Sequence, residues 1–385
     1  MPFEHARAAN RDRANDTFIE QGETKVRSGT VVAATLAIAL ASAPALGQTT
    51  LFGHIKVGVD RTTRSGNGSP DLAATRVTDS TSYWGIKTSE DLGGGLKAGV
   101  HMELDFKIDT GEQGNNRNMG VFLSGPWGKV TLGRWSMYFS HHWFLSPQGA
   151  FDVGPHAAND LNVLHTINGR NSSGGFVNNQ IRYESPRWNG FGLAAAVSMD
   201  TENRPSDNAH TVYLNPTYRS GRILGHFAHM RRSDQSGTAS GSFVSGTSTF
   251  DQVSNRLGFQ YHFDNGLRVG VVVDRNTVEG AGHEYARNAF SVPVIYETGK
   301  HRVSVTYGKA LAYDVDGVEQ RDTGATMLAM TYQHALSKRT FVGATFTMLN
   351  NEANGRYNFW LRGFDAPKVG GTDNRMIYLG IKHTF

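Results

Sequence analysis

The ionisable side chains of this chain fall into two patterns, each suggesting a different chemistry. Between Leu96 and Lys107 they recur at alternate positions: Lys97, His101, Glu103, Asp105 and Lys107. That spacing places them on one face of a strand, where mixed acids and bases make a wet wall. Between Trp135 and Val177 the histidines and acids are aperiodic: His141, His142, Asp152, His156, Asp160 and His165. Adjacent histidines on a strand diverge, and no Glu-x-x-His or paired-carboxylate spacing accompanies them. These histidines are therefore expected to be solvated loop residues, with no metal and no cofactor. The chain has no cysteine, which excludes disulfides and thiolate sites. Serines and histidines are plentiful, but none sits in a nucleophile motif such as Gly-x-Ser-x-Gly, so no enzyme is expected. Gly93-Gly94-Gly95 has no helix pattern after it and does not read as a phosphate cradle.

The elements that position these residues are strands. Leu51, Ile55, Val57 and Val59 interleave with His54, Lys56 and Asp60, and Leu267, Val269, Val271 and Val273 with Arg268, Gly270, Val272 and Asp274. At the end of the chain Ile377, Leu379, Ile381 and His383 oppose Tyr378, Gly380, Lys382 and Thr384. Arg256 and Arg302 are assigned to the same wet face. Short breaks fall at 89–95, 125–128, 185–190, 219–222, 263–266, 297–300 and 335–339. Long polar ones fall at 61–79, 108–116, 135–177, 201–210, 231–253, 275–288, 311–323 and 350–374. Seven short and eight long connections join sixteen strands. An even count with both ends on the short-turn side predicts an all-β fold, a closed 16-stranded antiparallel transmembrane β-barrel. Strands of about 9–11 residues suffice to cross a bilayer when tilted. A soluble sandwich would have shorter strands and would not keep Lys, His, Glu and Asp along one whole face. The net charge of +4 without a Lys/Arg run argues against a nucleic-acid partner.

Compartment is read from the other end. Lys25 and Arg27 precede an apolar run from Val31 to Leu40, then Ala41-Ser-Ala-Pro-Ala-Leu-Gly47. This is a basic n-region, an h-region and a small-residue cleavage site, too short for a membrane helix. Residues 1–47 are expected to be an N-terminal extension and export signal, removed to leave a barrel domain at 48–385. The polar stretch Met1–Thr24 is long for such a signal, which suggests a true translation start near Val26.

Several stretches together resemble the trimeric general porins of Gram-negative outer membranes, in the branch of Burkholderia- and Bordetella-like bacteria. They are Gln48-Thr-Thr-Leu-Phe-Gly53, Ser89-Glu-Asp-Leu-Gly-Gly-Gly-Leu-Lys-Ala98, Gly125-Pro-Trp-Gly-Lys-Val-Thr-Leu-Gly-Arg134, Asn178-Asn-Gln-Ile-Arg-Tyr-Glu-Ser-Pro186, Leu336-Ser-Lys-Arg-Thr340 and Leu379-Gly-Ile-Lys-His-Thr-Phe385. The resemblance implies a homotrimer in outer-membrane lipid, delivered by the barrel-assembly machinery with Phe385 as assembly signal. It also implies a third loop folded into the lumen, here Trp135 to Val177, and passive diffusion of small hydrophilic solutes and ions. The alternative is an outer-membrane channel that prefers small aromatic or organic-acid solutes, and an outer-membrane barrel enzyme and a secreted adhesin remain as further rivals.

Members of that family carry wall arginines at three places, and this chain keeps one. Arg117 matches the arginine of the fourth strand, while Tyr83 and Phe176 stand where the other two are usual. The resemblance thus implies a constriction of Arg117, Tyr83 and Phe176, with Lys87 and Arg182 displaced towards the periplasm. Asp152 and Asp160 are the acidic partners expected on the loop. Lys56, Lys97, His101, Glu103, Asp105, Arg256, Arg268 and Arg302 are expected to line the lumen. Exchange of two cations for rings is expected to weaken anion selectivity and favour solutes with an aromatic or flat apolar face. Arg134 shares parity with Val130 and Leu132, so it is expected on the outer face as a trimer contact or loop anchor.

Overall fold

The computed structural model describes residues 47–385 except 144, 147, 150, 172–174, 200–208, 237–241, 245–247, 360–363 and 366. Apart from Gly47, the export signal assigned to residues 1–47 lies outside the described residues. Strand β1 is Gln48–Ser65, and β2 runs in two segments, Leu72–Asp79 and Tyr83–Gly93, both paired with β1. Next come β3 (Leu96–Phe106), β4 (Gln113–Gly125), β5 (Gly128–Ser136), β6 (Phe176–Glu184), β7 (Phe191–Ser198) and β8 (His210–Ser220). The second half comprises β9 (Ile223–Ser236), β10 (Thr249–His262), β11 (Leu267–Gly280) and β12 (His283–Thr298). It ends with β13 (His301–Ala310), β14 (Ala325–Ala335), β15 (Thr340–Asn351) and β16 (Asp373–Thr384). Each strand pairs antiparallel with its sequence neighbours, and β16 returns to β1 over the register His54↔Thr384 to Ser65↔Asp373. The sixteen-strand reading holds, and closure leaves no free edge.

The alternation that defined the strands sorts them between two solvents. Leu51, Val59, Leu257, Phe259, Val271, Val273, Ile377, Leu379 and Ile381 are exposed on the outside. Lys56, Asp60, Gln252, Arg256, Asp274 and Asn276 alternate with them and are buried. An apolar exterior around a polar interior inverts the soluble pattern and fits lipid outside. At the closure seam Gly58 faces Gly380, and the buried Tyr378 ring lies across both. A Cβ added at Gly380 would come within 2.3 Å of that ring, so the seam needs glycine there.

Several long connections expected from polarity are shorter than anticipated. The first spans only 66–71 and the second 107–112. In place of the sixth, β11 and β12 continue through Arg275↔Asn288 and Thr277↔Ala286 to a two-residue turn, Ala281-Gly282. Both turn residues have positive φ, 54° and 81°, the geometry of a tight hairpin. Polar residues do not end a strand that projects beyond lipid, because both its faces then meet water.

The third connection, residues 137–175, enters the barrel. Its described residues form two 3₁₀ turns, Tyr138–Ser140 and His156–Ala158, and a short α-helix, α1 (Asp160–Leu164), whose cap Asn159 accepts a bond from the Asn162 amide. Leu145, Ala157, Leu161, Val163 and Leu164 of this loop pack on Val272, Ala289, Ala310, Ala325, Met327 and Leu349, which face inward from β11 to β15. One side of the lumen is therefore apolar enough to hold the loop.

Candidate functional site: the loop-narrowed lumen

The kink in β2 makes the first docking point. The Asp79 carboxylate accepts the Thr81 and Ser82 amides, and Thr81 adopts φ 64°. Ser80 is thereby turned so that its hydroxyl accepts the His156 amide of the loop at 2.7 Å. From β1, Lys56 Nζ donates to the Gly149 carbonyl (2.8 Å), and from β16 Lys382 Nζ donates to the Phe151 carbonyl (2.6 Å). Gln148 donates to Thr331, and Gln333 accepts the Val153 amide. On β10 to β12, Gln260 holds the Leu145 carbonyl, Asn276 the His165 carbonyl and Arg287 the Thr166 carbonyl. Tyr138 OH donates to Asp274 at 2.6 Å, and Arg256 meets His142 Nδ1 at 2.6 Å. Asp274 also pairs with Arg256 and Arg287 at 2.8 and 2.7 Å. The loop is thus tied to β1, β10 to β12, β14 and β16.

Between the loop and the opposite wall lies a cavity of about 350 Å³, lined by His54, Tyr83, Asp105, Arg117, Arg134, Trp143, Phe151, His156, Phe176 and Lys382 among others. Arg117 is its centre. Its guanidinium stacks on Tyr83 (4.4 Å) and Phe176 (5.3 Å) and bonds to Glu103 (3.3 Å) and Asp105 (3.1 Å). Such stacking fixes a cation without neutralising it, whereas the two carboxylates balance its charge. Strict alternation from Val121 and Leu123, both exposed outside, would have put Arg117 on the outer face. A register shift between Met102 and Leu104 adds a residue on β4 and turns it inward.

Several expected positions need correction. Arg134 does not keep to the outer face: its guanidinium lies 5.6 Å from the Phe176 ring, donates to the Asn116 carbonyl and to Asn178, and borders the cavity. A register shift between Gly133 and Trp135 breaks the straight strand that the parity argument assumed. Asp152 and Asp160 do not face Arg117. Both are buried, Asp152 accepting the Gly149 and Gly154 amides and Asp160 bonding Ser146 and Ser291. Short carboxylates on a folded loop are captured by its own backbone, and the acids at Arg117 come from β3 instead. Lys87 stacks on Phe52 at 4.1 Å, away from the cavity. Arg182 is buried beside Glu184 and Tyr213 and borders a separate recess with His141. The Tyr83 and Phe176 rings line the cavity and also lie against arginine guanidinium groups.

The remaining wall residues fall as parity placed them. Lys56, His101, Glu103, Asp105 and Arg256 point inward with Asp274, while Arg268 and Arg302 share Glu297 near the short-turn end. Lys97 is exposed on the same parity. The histidines are not solvated: His142, His156 and His165 are buried in the docked loop. Burial holds His156 and His165 down to about 3, with Lys56 and Arg117 reinforcing the first and Arg256 the second. Burial raises Asp160 in turn. No group of ligands able to hold a metal occurs among the described residues. Trp143 and Phe151, which line the cavity from the loop, carried no periodic signal in the sequence. Phe385 is pinned by its backbone, its amide donating to the Gly53 carbonyl and its carbonyl accepting the Gly53 amide.

Comparison with known proteins agrees with this architecture. Outer membrane porin protein 32 of Delftia acidovorans is 27% identical over 367 residues, covering 91% of this chain and 98% of that protein. The major outer membrane protein P.IB of a Neisseria meningitidis strain is 26% identical, covering 79% and 89%. Among solved structures, the anion-selective porin from Comamonas acidovorans superposes with a TM-score of 0.71 at 22% identity, covering 88% of this chain and all of that one. OmpT of Vibrio cholerae in its trimer form gives 0.62 at 12% identity, covering 88% and 99%. The family model described as Gram-negative porin matches residues 33–355, and the chain belongs to that family, an outer-membrane β-barrel channel for passive diffusion of small solutes.

Proposed function

We propose that the channel passes small hydrophilic solutes and ions with a mild preference for anions, along the cavity between the third loop and the wall from β1 to β6. The observation that carries this reading is the asymmetry of loop docking. The loop is bonded to β10–β12, β14, β16, β1 and the β2 kink, while the space beside Arg117, Arg134, Lys382 and His54 stays open. Lys382 borders the same cavity and donates to the Phe151 carbonyl, with no carboxylate hydrogen-bonded to it among the described residues. The acids beside Arg117 temper this field, which supports mild selectivity. The anion-selective relative from Comamonas acidovorans supports the sign.

The same reading has the chain exported through residues 1–47, folded by the barrel-assembly machinery with Phe385 as signal, and trimeric. Planar-bilayer recording across a KCl gradient tests it. Stepwise conductance in groups of three is expected, with a reversal potential on the anion side. Arg117→Glu together with Lys382→Glu is expected to move that potential to the cation side. An unmoved potential would place the path elsewhere.

A further inference from the structure

The loops at the outer mouth form a second basic recess, remote in the chain from Arg117. Its volume is about 400 Å³, and it is lined by Asn168, Arg170, Phe243, Tyr313, Gln320, Arg321, Thr323, Asn354, Arg356 and Gly370. Three guanidinium groups border it, and no acidic side chain does. Among the described residues, the guanidinium groups of Arg170, Arg321 and Arg356 make no hydrogen bond or ion pair. The Arg170 guanidinium lies over the Phe243 ring at 4.9 Å, and that ring stacks on Tyr285 at 4.2 Å. Elsewhere in the barrel arginines meet carboxylates, as at Asp60, Glu103, Asp274 and Glu297. Here three guanidinium groups without a carboxylate partner share one hollow.

The frame is built rather than incidental. Asn168 Oδ1 accepts the Arg356 amide at 2.6 Å, and its Nδ2 donates to the Asn354 carbonyl. Asn354 Nδ2 in turn donates to the Arg321 carbonyl at 3.0 Å. On the opposite side Thr323 accepts the Tyr313 amide and donates to the Gln320 carbonyl. All three arginine backbones are thus held in hydrogen-bonded loops, Arg170 through its paired bridge with Ile167. Only the side chains remain free to close on a ligand.

We propose that this recess binds small organic anions carrying two or more carboxylates and holds them at the outer mouth. A guanidinium offers a planar fork matched to carboxylate, so several forks in one hollow reward an anion with several carboxylates. Chloride meets one fork at a time and is screened over about 8 Å at physiological salt. The recess concentrates polycarboxylates above the constriction, and so deepens the diffusion-pore reading. The binding itself does not depend on permeation.

Calorimetric titration of the detergent-solubilised protein with citrate at low salt tests it, with acetate and inorganic phosphate as parallel probes. The triple variant Arg170→Gln, Arg321→Gln, Arg356→Gln alters only exposed side chains, and heat-modifiable electrophoretic mobility checks that it folds. Citrate is expected to bind, acetate not measurably, and the triple variant at least about tenfold more weakly than the parent. Arg222→Gln, in an exposed short turn and outside the recess, is expected to leave citrate binding intact. Equal citrate affinity in parent and triple variant, or no citrate binding at all, overturns the proposal. Phosphate bound as tightly as citrate would reassign the recess from polycarboxylates to oxyanions in general. Failure of the bilayer experiment with citrate binding intact would sink the diffusion path and leave the recess standing.

Discussion

Replacing Asp274 by alanine tests whether the loop is held by charge. Asp274 is buried and accepts from Tyr138 of the loop while pairing with Arg256 and Arg287 on adjacent strands. With the carboxylate gone, both guanidinium groups stay buried beneath the docked loop without the acid that pairs them. Removing one partner of a buried pair costs about 3–5 kcal/mol. This cost falls on the docked state, because an undocked loop lets lumen water reach Arg256 and Arg287. The ratio of docked to undocked loop should therefore fall by about two to four decades, at 1.36 kcal/mol per decade. The chain has no cysteine, so a single Ala157→Cys reports docking: Ala157 is fully buried in the loop core. Maleimide labelling of that thiol should accelerate by about two decades or more in Asp274→Ala. Arg302→Gln breaks a half-exposed pair, worth about 0–1 kcal/mol, and should leave labelling unchanged. Equal labelling in parent and Asp274→Ala, with both barrels folded, would refute the reasoning.

Acidification should loosen the same loop. His156 and His165 titrate near 3 when docked and near 6.5 when solvated. Between those values the undocked loop binds more protons, so docking is fully stable above about pH 6.5 and weakens as pH falls, by about 2 kcal/mol per histidine at pH 5. Asp160, raised by burial, opposes this, because the docked state retains its proton more readily. Labelling of Ala157→Cys by a reagent that is not thiolate-dependent should rise below pH 6.5, and a flat profile down to pH 4 would contradict the buried neutral histidines. At the seam, Gly380→Ala drives a methyl into Tyr378 and should cost about 1–3 kcal/mol, read as a lower urea midpoint for the folded barrel. At the constriction, Tyr83→Leu with Phe176→Leu removes two stacking contacts on Arg117, together worth about 1–2 kcal/mol. Conductance noise should rise while uptake of aromatic solutes stays constant. A selective fall in aromatic uptake would instead mean that the rings serve the solute.

What the sequence disclosed and what it hid separate along one physical line. A barrel wall is read by parity, because neighbouring residues face opposite solvents and the hydrophobic exterior enforces the register. Lys56, Glu103, Asp274 and Lys382 accordingly share the wet parity in the sequence and are buried in the structure. Parity fails wherever one residue is inserted. The shift beside Leu104 turns Arg117 inward against its neighbours Val121 and Leu123, and the shift beside Trp135 brings Arg134 to the cavity. Neither bulge has a sequence signature, since each depends on how two strands share a ladder. The loop hid more, because its partners lie far along the chain. His142 meets Arg256, Asp160 meets Ser291, and Lys56 meets the Gly149 carbonyl. A polar loop looks solvated when read alone, yet inside a polar lumen its amides and imidazoles find protein where water was expected. Buried polarity in this fold therefore measures loop docking, and the charged residues that matter for passage are those the loop leaves uncovered.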